Sequence, residues 1–236
     1  MRDPFEPRLE PLRRQFGDDP WRLTLAGLSP ETAAVDETIF ALGNGYLGMR
    51  GNHEEGEPLG SHGTFVNGLH ETWQIQHAEN AYGFAEAGQT IVNVPDAKTI
   101  RVYVDDERLN LTRSDVVDVQ RTLDLRAGTL TRTLLWRTPT GKRVRVETRR
   151  MVSLASRHLA TIELRLTVLD ADADVSISSL MLNRQDLGRV RTEDPRASDP
   201  APTVDDPRKA EVLSERVLDP GPMLRDGDRS VLSYRV

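Results

Sequence analysis

The chain has 236 residues, 37% hydrophobic and 29% charged, with a formal net charge of −6, which leaves room for one large β domain or at most two small ones. The acidic balance gives no electrostatic reason to seek a polyanion, so nucleic acid is not an expected partner; the absence of cysteine removes disulfides, thiolate ligands and thiol nucleophiles together. The opening Met1-Arg2-Asp3-Pro4-Phe5-Glu6-Pro7 has no apolar signal core, and no apolar run approaches about 18 residues, so a cytoplasmic chain without a membrane partner is expected.

Residues 1–20 read as an N-terminal extension with a short helix over 9–16, bounded by Pro11 and Gly17. Residues 21–25 and 37–42 look like strands. Between Gly43 and Gly88 the spacing is set by Gly, Asn, His and Glu with no sustained period, so 52–89 is expected to be a long loop, functional or mobile. Regularity begins at 99–104, which alternates and ends at Asp105-Asp106. Farther on, Ala160, Ile162, Leu164, Leu166 and Val168 alternate with Thr161, Glu163, Arg165 and Thr167, the period of a strand with one buried face. The run 143–149 repeats the pattern after the turn Pro139-Thr140-Gly141-Lys142, and with 129–138 before it makes a hairpin. Residues 175–182 form the next strand. The middle of the chain is thus an antiparallel meander, and its turn spacing is that of a sandwich or barrel. Four prolines, Pro195, Pro200, Pro202 and Pro207, mark 187–208 as flexible loop. A strand-like pattern over 230–236 ends the chain, which suggests a β domain truncated at its C-terminal end.

Gly43-Asn44-Gly45-Tyr46-Leu47-Gly48 matches G-x-G-x-x-G, but two more glycines and Pro58 follow where a dinucleotide site needs a helix. Turns and close backbone packing account for these glycines better. His53, His62, His70 and His77 lack a tight ligand spacing, so no metal is expected. Ser61 is not in a G-x-S-x-G elbow. Asn110-Leu111-Thr112 is a formal glycosylation sequon, read as accidental. Gly68-Leu69-His70-Glu71-Thr72-Trp73 joins an imidazole, a carboxylate and an indole, the types that meet sugar hydroxyls and ring faces, although a loop packed down by one Trp explains them equally well.

The run Asn44-Gly45-Tyr46-Leu47-Gly48-Met49-Arg50-Gly51-Asn52 resembles the amino-terminal domain of glycoside hydrolase family 65, which includes maltose, trehalose and kojibiose phosphorylases. The likeness continues through Thr64-Phe65-Val66-Asn67-Gly68-Leu69-His70-Glu71, Val94-Pro95-Asp96, Arg121-Thr122-Leu123-Asp124, Trp136-Arg137-Thr138-Pro139, Arg150-Met151-Val152-Ser153-Leu154 and Asp206-Pro207-Arg208. The resemblance implies an all-β fold with little helix: a large antiparallel β super-sandwich, galactose-mutarotase-like, over 21–236. It also implies an α/α-barrel partner bearing the catalytic Glu, so no catalytic residue is carried onto this chain, which alone is expected to be inactive. It further implies a homodimer and a disaccharide substrate, with no cofactor and with inorganic phosphate as co-substrate if the full enzyme is a phosphorylase. The implied reaction is an inverting displacement, in which a Glu protonates the glycosidic oxygen while phosphate attacks the anomeric carbon from the opposite face. Asn52, Glu54, Glu55, His70, Glu71 and Trp73, from the irregular stretch, are the candidates to face the barrel or its sugar pocket. The competing readings are a free-standing carbohydrate-binding sandwich and a protein-interaction domain.

Overall fold

The structure is a computed structural model and describes residues 19–56, 61–75, 79, 81–183 and 218–235. The expected helix over 9–16 and the loop over 187–208 lie outside these residues, as does nearly all of the 1–20 extension. The chain divides into two compact units, Met1–Ser61 with Ala97–Leu180, and His62–Asp96 with Met181–Val236.

In chain order the elements are β1 (Arg22–Ala26), α1 (Ala33–Ile39), β2 (Leu42–Gly43), β3 (Leu47–Met49), β4 (Thr64–Gln74), β5 (Ala87–Asn93), β6 (Asp96–Val104) and β7 (Glu107–Arg108). They continue as β8 (Asp115–Asp124), β9 (Thr129–Arg137), β10 (Arg143–Val152), β11 (Ala160–Val168), β12 (Val175–Leu182), β13 (Asp219–Pro220), β14 (Leu224–Asp226), β15 (Arg229–Val231) and β16 (Tyr234–Arg235). The fold is all-β, as expected. Among the described residues no helix is long and apolar enough to cross a membrane.

The first unit is a sandwich. One sheet has the order β1-β8-β9-β10-β11 and the other β12-β6-β7. Every pairing in the larger sheet is antiparallel, so the expected meander is present over β8 to β11 with β1 added at its edge, whereas 175–182, expected as its next strand, lies beside β6 in the other sheet. Alternation turns Val119, Leu134, Trp136, Val144 and Val146 inward, where they meet Val102, Val104, Leu109 and Leu111 in one buried cluster. A second cluster joins Leu25, Leu123 and Leu130 to Phe40, just past α1. A two-residue turn connects β6 to β7: Asp105 and Asp106 have φ of 49° and 65°, the left-handed pair that such hairpins require and that Asp tolerates. Asp105 is held there by the Lys142 ammonium.

Two expectations are corrected. Of residues 37–42, read as a strand, 37–39 instead finish helix α1, whose inward stripe is Ala33, Asp36 and Glu37, and only Leu42 enters a strand, β2; a helix face that buries carboxylates shows no apolar period to read. The stretch 52–89, read as a long loop, contains β4 and β5, paired antiparallel within the second unit. Their register shifts between Phe65 and His70, and a bulge of this kind breaks the alternation by which strands are recognised in a sequence. In the same unit β13 pairs with β16 and β14 with β15.

Candidate functional site

The inward rows of the larger sheet are not apolar throughout. On β8 the inward residues run Val119, Arg121, Leu123; on β9 they run Leu134, Arg132, Leu130; on β10 Arg150 shares the parity of Val144 and Val146. Arg121 and Arg132 are direct cross-strand partners, and all three guanidinium side chains are buried. A band of positive charge therefore lies between the two apolar clusters of the first unit. What neutralises it is the segment Asn52-His53-Glu54-Glu55, itself fully buried.

The pairing is dense. Arg132 donates from Nη1 and Nη2 to the two carboxylate oxygens of Glu55, each at 2.7 Å, and stands 3.3 Å from Glu54 Oε2. Arg150 Nη2 donates to Glu54 Oε1 at 2.5 Å and to the Asn52 carbonyl at 2.9 Å, while its Nη1 donates to the Arg50 carbonyl at 3.1 Å. Arg121 Nη1 donates to the Gly51 carbonyl at 3.1 Å, and its guanidinium lies 4.8 Å from the Phe40 ring centre. Arg132 Nη1 also meets His53 Nδ1 at 3.1 Å. Because arginine only donates, that nitrogen accepts and the imidazole proton sits on Nε2.

The electrostatics follow from this geometry. Burial and then the neighbouring Arg132, Arg121 and Arg150 hold the His53 pKa well below its usual value, so the ring is neutral. Burial alone would raise the Glu54 pKa, but Arg132 and Arg150 outweigh it and the carboxyl is held below its usual range. Burial likewise opposes the charge on Arg132, and Glu55 with Glu54 outweighs it, raising that pKa. A carboxyl that is ionised, dry and gripped by guanidinium groups has no proton to donate near neutral pH, and a general acid must have one. Asn52, Glu54 and Glu55, expected on a polar loop, form instead an internal clasp. Sequence reasoning missed its partners Arg121, Arg132 and Arg150, although their inward parity was the available signal.

The glycine-rich run leading into the clasp is a hairpin from β2 to β3. Asn44 Oδ1 accepts from the Tyr46 and Leu47 amides at 3.0 and 2.8 Å, and Asn44 Nδ2 donates to the Ser153 and Arg157 carbonyls. Gly45 at the tip has φ of +85°. Gly51 lies so close to Phe40 that a Cβ there would fall 2.7 Å from the Phe40 Cβ and 2.8 Å from its carbonyl oxygen.

The other three candidates lie on β4 in the second unit. His70 pairs in register with Ile91, Glu71 with Thr90 and Trp73 with Gly88, and the side chains of His70 and Glu71 are half-buried. His62, in the same unit, is buried with Nδ1 3.0 Å from Asp96 Oδ2. Thus His53 and His62 have separate carboxylate or guanidinium partners, and among the described residues no group of three or more His, Asp or Glu side chains forms a metal cluster.

The model of glycosyl hydrolase family 65, N-terminal domain, matches residues 23–236. The chain belongs to that family. It is 40% identical over 183 residues to an uncharacterized glycosyl hydrolase of Mycobacterium tuberculosis, covering 78% of this chain and 23% of that protein. It is 41% identical over 146 residues to the alpha,alpha-trehalose phosphorylase of Thermoanaerobacter brockii, covering 60% of this chain and 19% of that one. A solved structure of a putative kojibiose phosphorylase from the human microbiome superposes with a TM-score of 0.70 at 24% identity, over 94% of this chain and 26% of its own, a likeness of fold. The family 65 chain thus spans about a fifth to a quarter of the length of these relatives. Its clasp lies inside the matched region.

Proposed function

We propose that this family 65 domain is the non-catalytic β super-sandwich of an inverting disaccharide phosphorylase or hydrolase acting on α-glucosides, and that it supports an α/α-barrel that carries the general acid. In this reading the enzyme works in the cytoplasm, uses phosphate or water as nucleophile and forms a homodimer. The domain's contribution is mechanical, with β4 presenting His70, Glu71 and Trp73 toward the barrel or its sugar pocket. The observation that carries the reading is the burial of Glu54 and Glu55 against Arg132 and Arg150: the clustered acids of the candidate stretch are held ionised or fully paired inside the sandwich, out of reach of a sugar.

The test has two arms. The 236-residue chain, mixed with maltose, trehalose, kojibiose or nigerose and with phosphate, is expected to release neither sugar phosphate nor glucose; product that disappears in a Glu71→Gln variant would overturn the reading. Exchanging this domain for the matching segment of the Thermoanaerobacter brockii trehalose phosphorylase should give a folded enzyme that keeps activity, whereas a chimera that folds but is inert would show that the native domain supplies chemistry of its own.

A further inference from the structure

Asparagine followed by glycine is the dipeptide most prone to cyclise: the glycine nitrogen attacks the asparagine side-chain carbonyl carbon, and no Cβ shields that nitrogen. The chain has two such dipeptides, Asn44-Gly45 and Asn67-Gly68, and their glycines are matched. Gly45 has φ of +85° and Gly68 of +94°, and a Cβ added at either would meet nothing within 4 Å. The two sites differ in how the asparagine is held.

Asn44 is half-buried, and its side-chain amide is engaged at both ends. Its Oδ1 accepts from the Tyr46 and Leu47 amides at 3.0 and 2.8 Å, and its Nδ2 donates to the Ser153 and Arg157 carbonyls at 2.7 and 3.1 Å. Its Cγ can turn onto the Gly45 nitrogen only by giving these bonds up, and the loss of two of them slows a step by about tenfold or more. Asn67 and Gly68 are both exposed and lie in the bulge of β4: Phe65 pairs with Asn93 and His70 with Ile91, so 66–69 stand opposite Val92. A bulge disrupts the ladder and bends its strand. The pairing with β5 is therefore interrupted where cyclisation needs the backbone to bend, and water, the second reactant, reaches both residues.

We propose that Asn67 is a site of spontaneous modification, converting to aspartate and isoaspartate through a cyclic imide, and that the fold protects Asn44 from the same reaction. The Gly68 nitrogen bonds to Asn67 Cγ, the Cγ–Nδ2 bond breaks, and ammonia leaves with the proton that the Gly68 nitrogen gives up. Water then opens the imide at one carbonyl or the other. Both products add a carboxylate, and isoaspartate also lengthens the main chain by a carbon, on the strand that carries His70 and Glu71. The chemistry does not rest on the function proposed above. The test incubates the full 236-residue chain in mildly alkaline buffer, folded and in urea, and follows both dipeptides by peptide mass mapping and by isoaspartyl methyltransferase labelling. The ratio of Asn67 to Asn44 conversion should be at least about tenfold higher in the folded chain than in urea, where the hydrogen bonds of Asn44 are gone. Asn67→Ser, a change at an exposed position, should remove most of the ammonia that the folded chain releases. Asn67 left intact in the folded chain while the unfolded chain converts, a ratio that folding does not change, or undiminished ammonia from Asn67→Ser overturns the proposal.

Discussion

Arg132→Met tests whether the clasp holds the sandwich together. Methionine matches the aliphatic stem and removes only the guanidinium, so the variant leaves Glu55 buried with neither of its two 2.7 Å partners. Glu54 loses one cation and keeps Arg150. Removing one member of a buried ion pair destabilises by about 3–5 kcal/mol because the other charge stays desolvated, a large share of the roughly 5–15 kcal/mol that separates folded from unfolded domains. With a urea m-value of about 2–3 kcal/mol/M, the midpoint should fall by about 1–2.5 M. Arg165→Met is the control: that side chain is 69% exposed, beside Glu163 at 3.5 Å, and its loss should stay within about 0.5 kcal/mol.

The pH dependence sharpens the test. In the wild type, the Glu54 pKa is depressed, so its contribution is present above the unfolded value of about 4.3 and is lost as pH falls through the folded one. The part of the gap between the proteins that Glu54 carries should therefore narrow only as pH falls below about 4.3. Adding Glu55→Gln to Arg132→Met should return part of the loss at pH 7. A midpoint change worth less than about 1 kcal/mol at pH 7 would refute the assignment of the clasp as a stabilising ion cluster.

Three further outcomes follow from the same geometry. Gly51→Ala should lower stability by about 1–3 kcal/mol, because its Cβ has no room beside the Phe40 backbone; a thermal midpoint equal to that of the wild type would show that the hairpin moves freely. The depressed His53 pKa means that its stabilising contribution is complete above about pH 6.5 and declines as pH falls below it; urea midpoints of His53→Gln should therefore vary less between pH 6.5 and 5, and an equal slope would count against a neutral buried ring. In hydrogen exchange the amides of Gly51, bonded to the Glu37 carbonyl at 2.7 Å, and Ile100, bonded to Glu54 at 2.6 Å, should be as slow as those of β10. Exchange there as fast as in the exposed residues 81–86 would contradict a packed clasp.

What the sequence made legible was the part whose neighbours are local. Strands β10 and β11 alternate with period two and the turns around them carry Gly, Pro and Asp, so this part of the meander could be read by parity. The clasp could not. Glu55 meets Arg132 across 77 positions and Glu54 meets Arg150 across 96, and an acid in an irregular segment reads as solvated unless its distant cation is known. Half of the answer was nevertheless printed in the strands: Arg132 falls between Leu130 and Leu134 on the inward parity, and Arg121 between Val119 and Leu123. An arginine at such a position must find a buried anion or carbonyl, and Glu54 and Glu55 were the clustered acids left over. Helix α1 escaped for a related reason, since its buried face carries Asp36 and Glu37.

The charged band also explains how irregular chain can run through the inside of a sandwich. Residues 50–55 are not all in strands, so their carbonyls lack ladder partners, and buried carbonyls demand donors. Arg121 serves Gly51, and Arg150 serves both Arg50 and Asn52 while holding Glu54. A guanidinium can do this because its five donors spread over a plane, whereas an ammonium presents three from a single point. The acids of the segment complete the arrangement by neutralising the guanidinium groups that its backbone requires. A carboxylate used in this way is unavailable for proton transfer, and the same arginines hold the carbonyls of Arg50, Gly51 and Asn52 at the end of the family-like run. Glu71 on β4, half-buried and outside that network, is the acid of the six candidates whose environment still permits contact with a ligand.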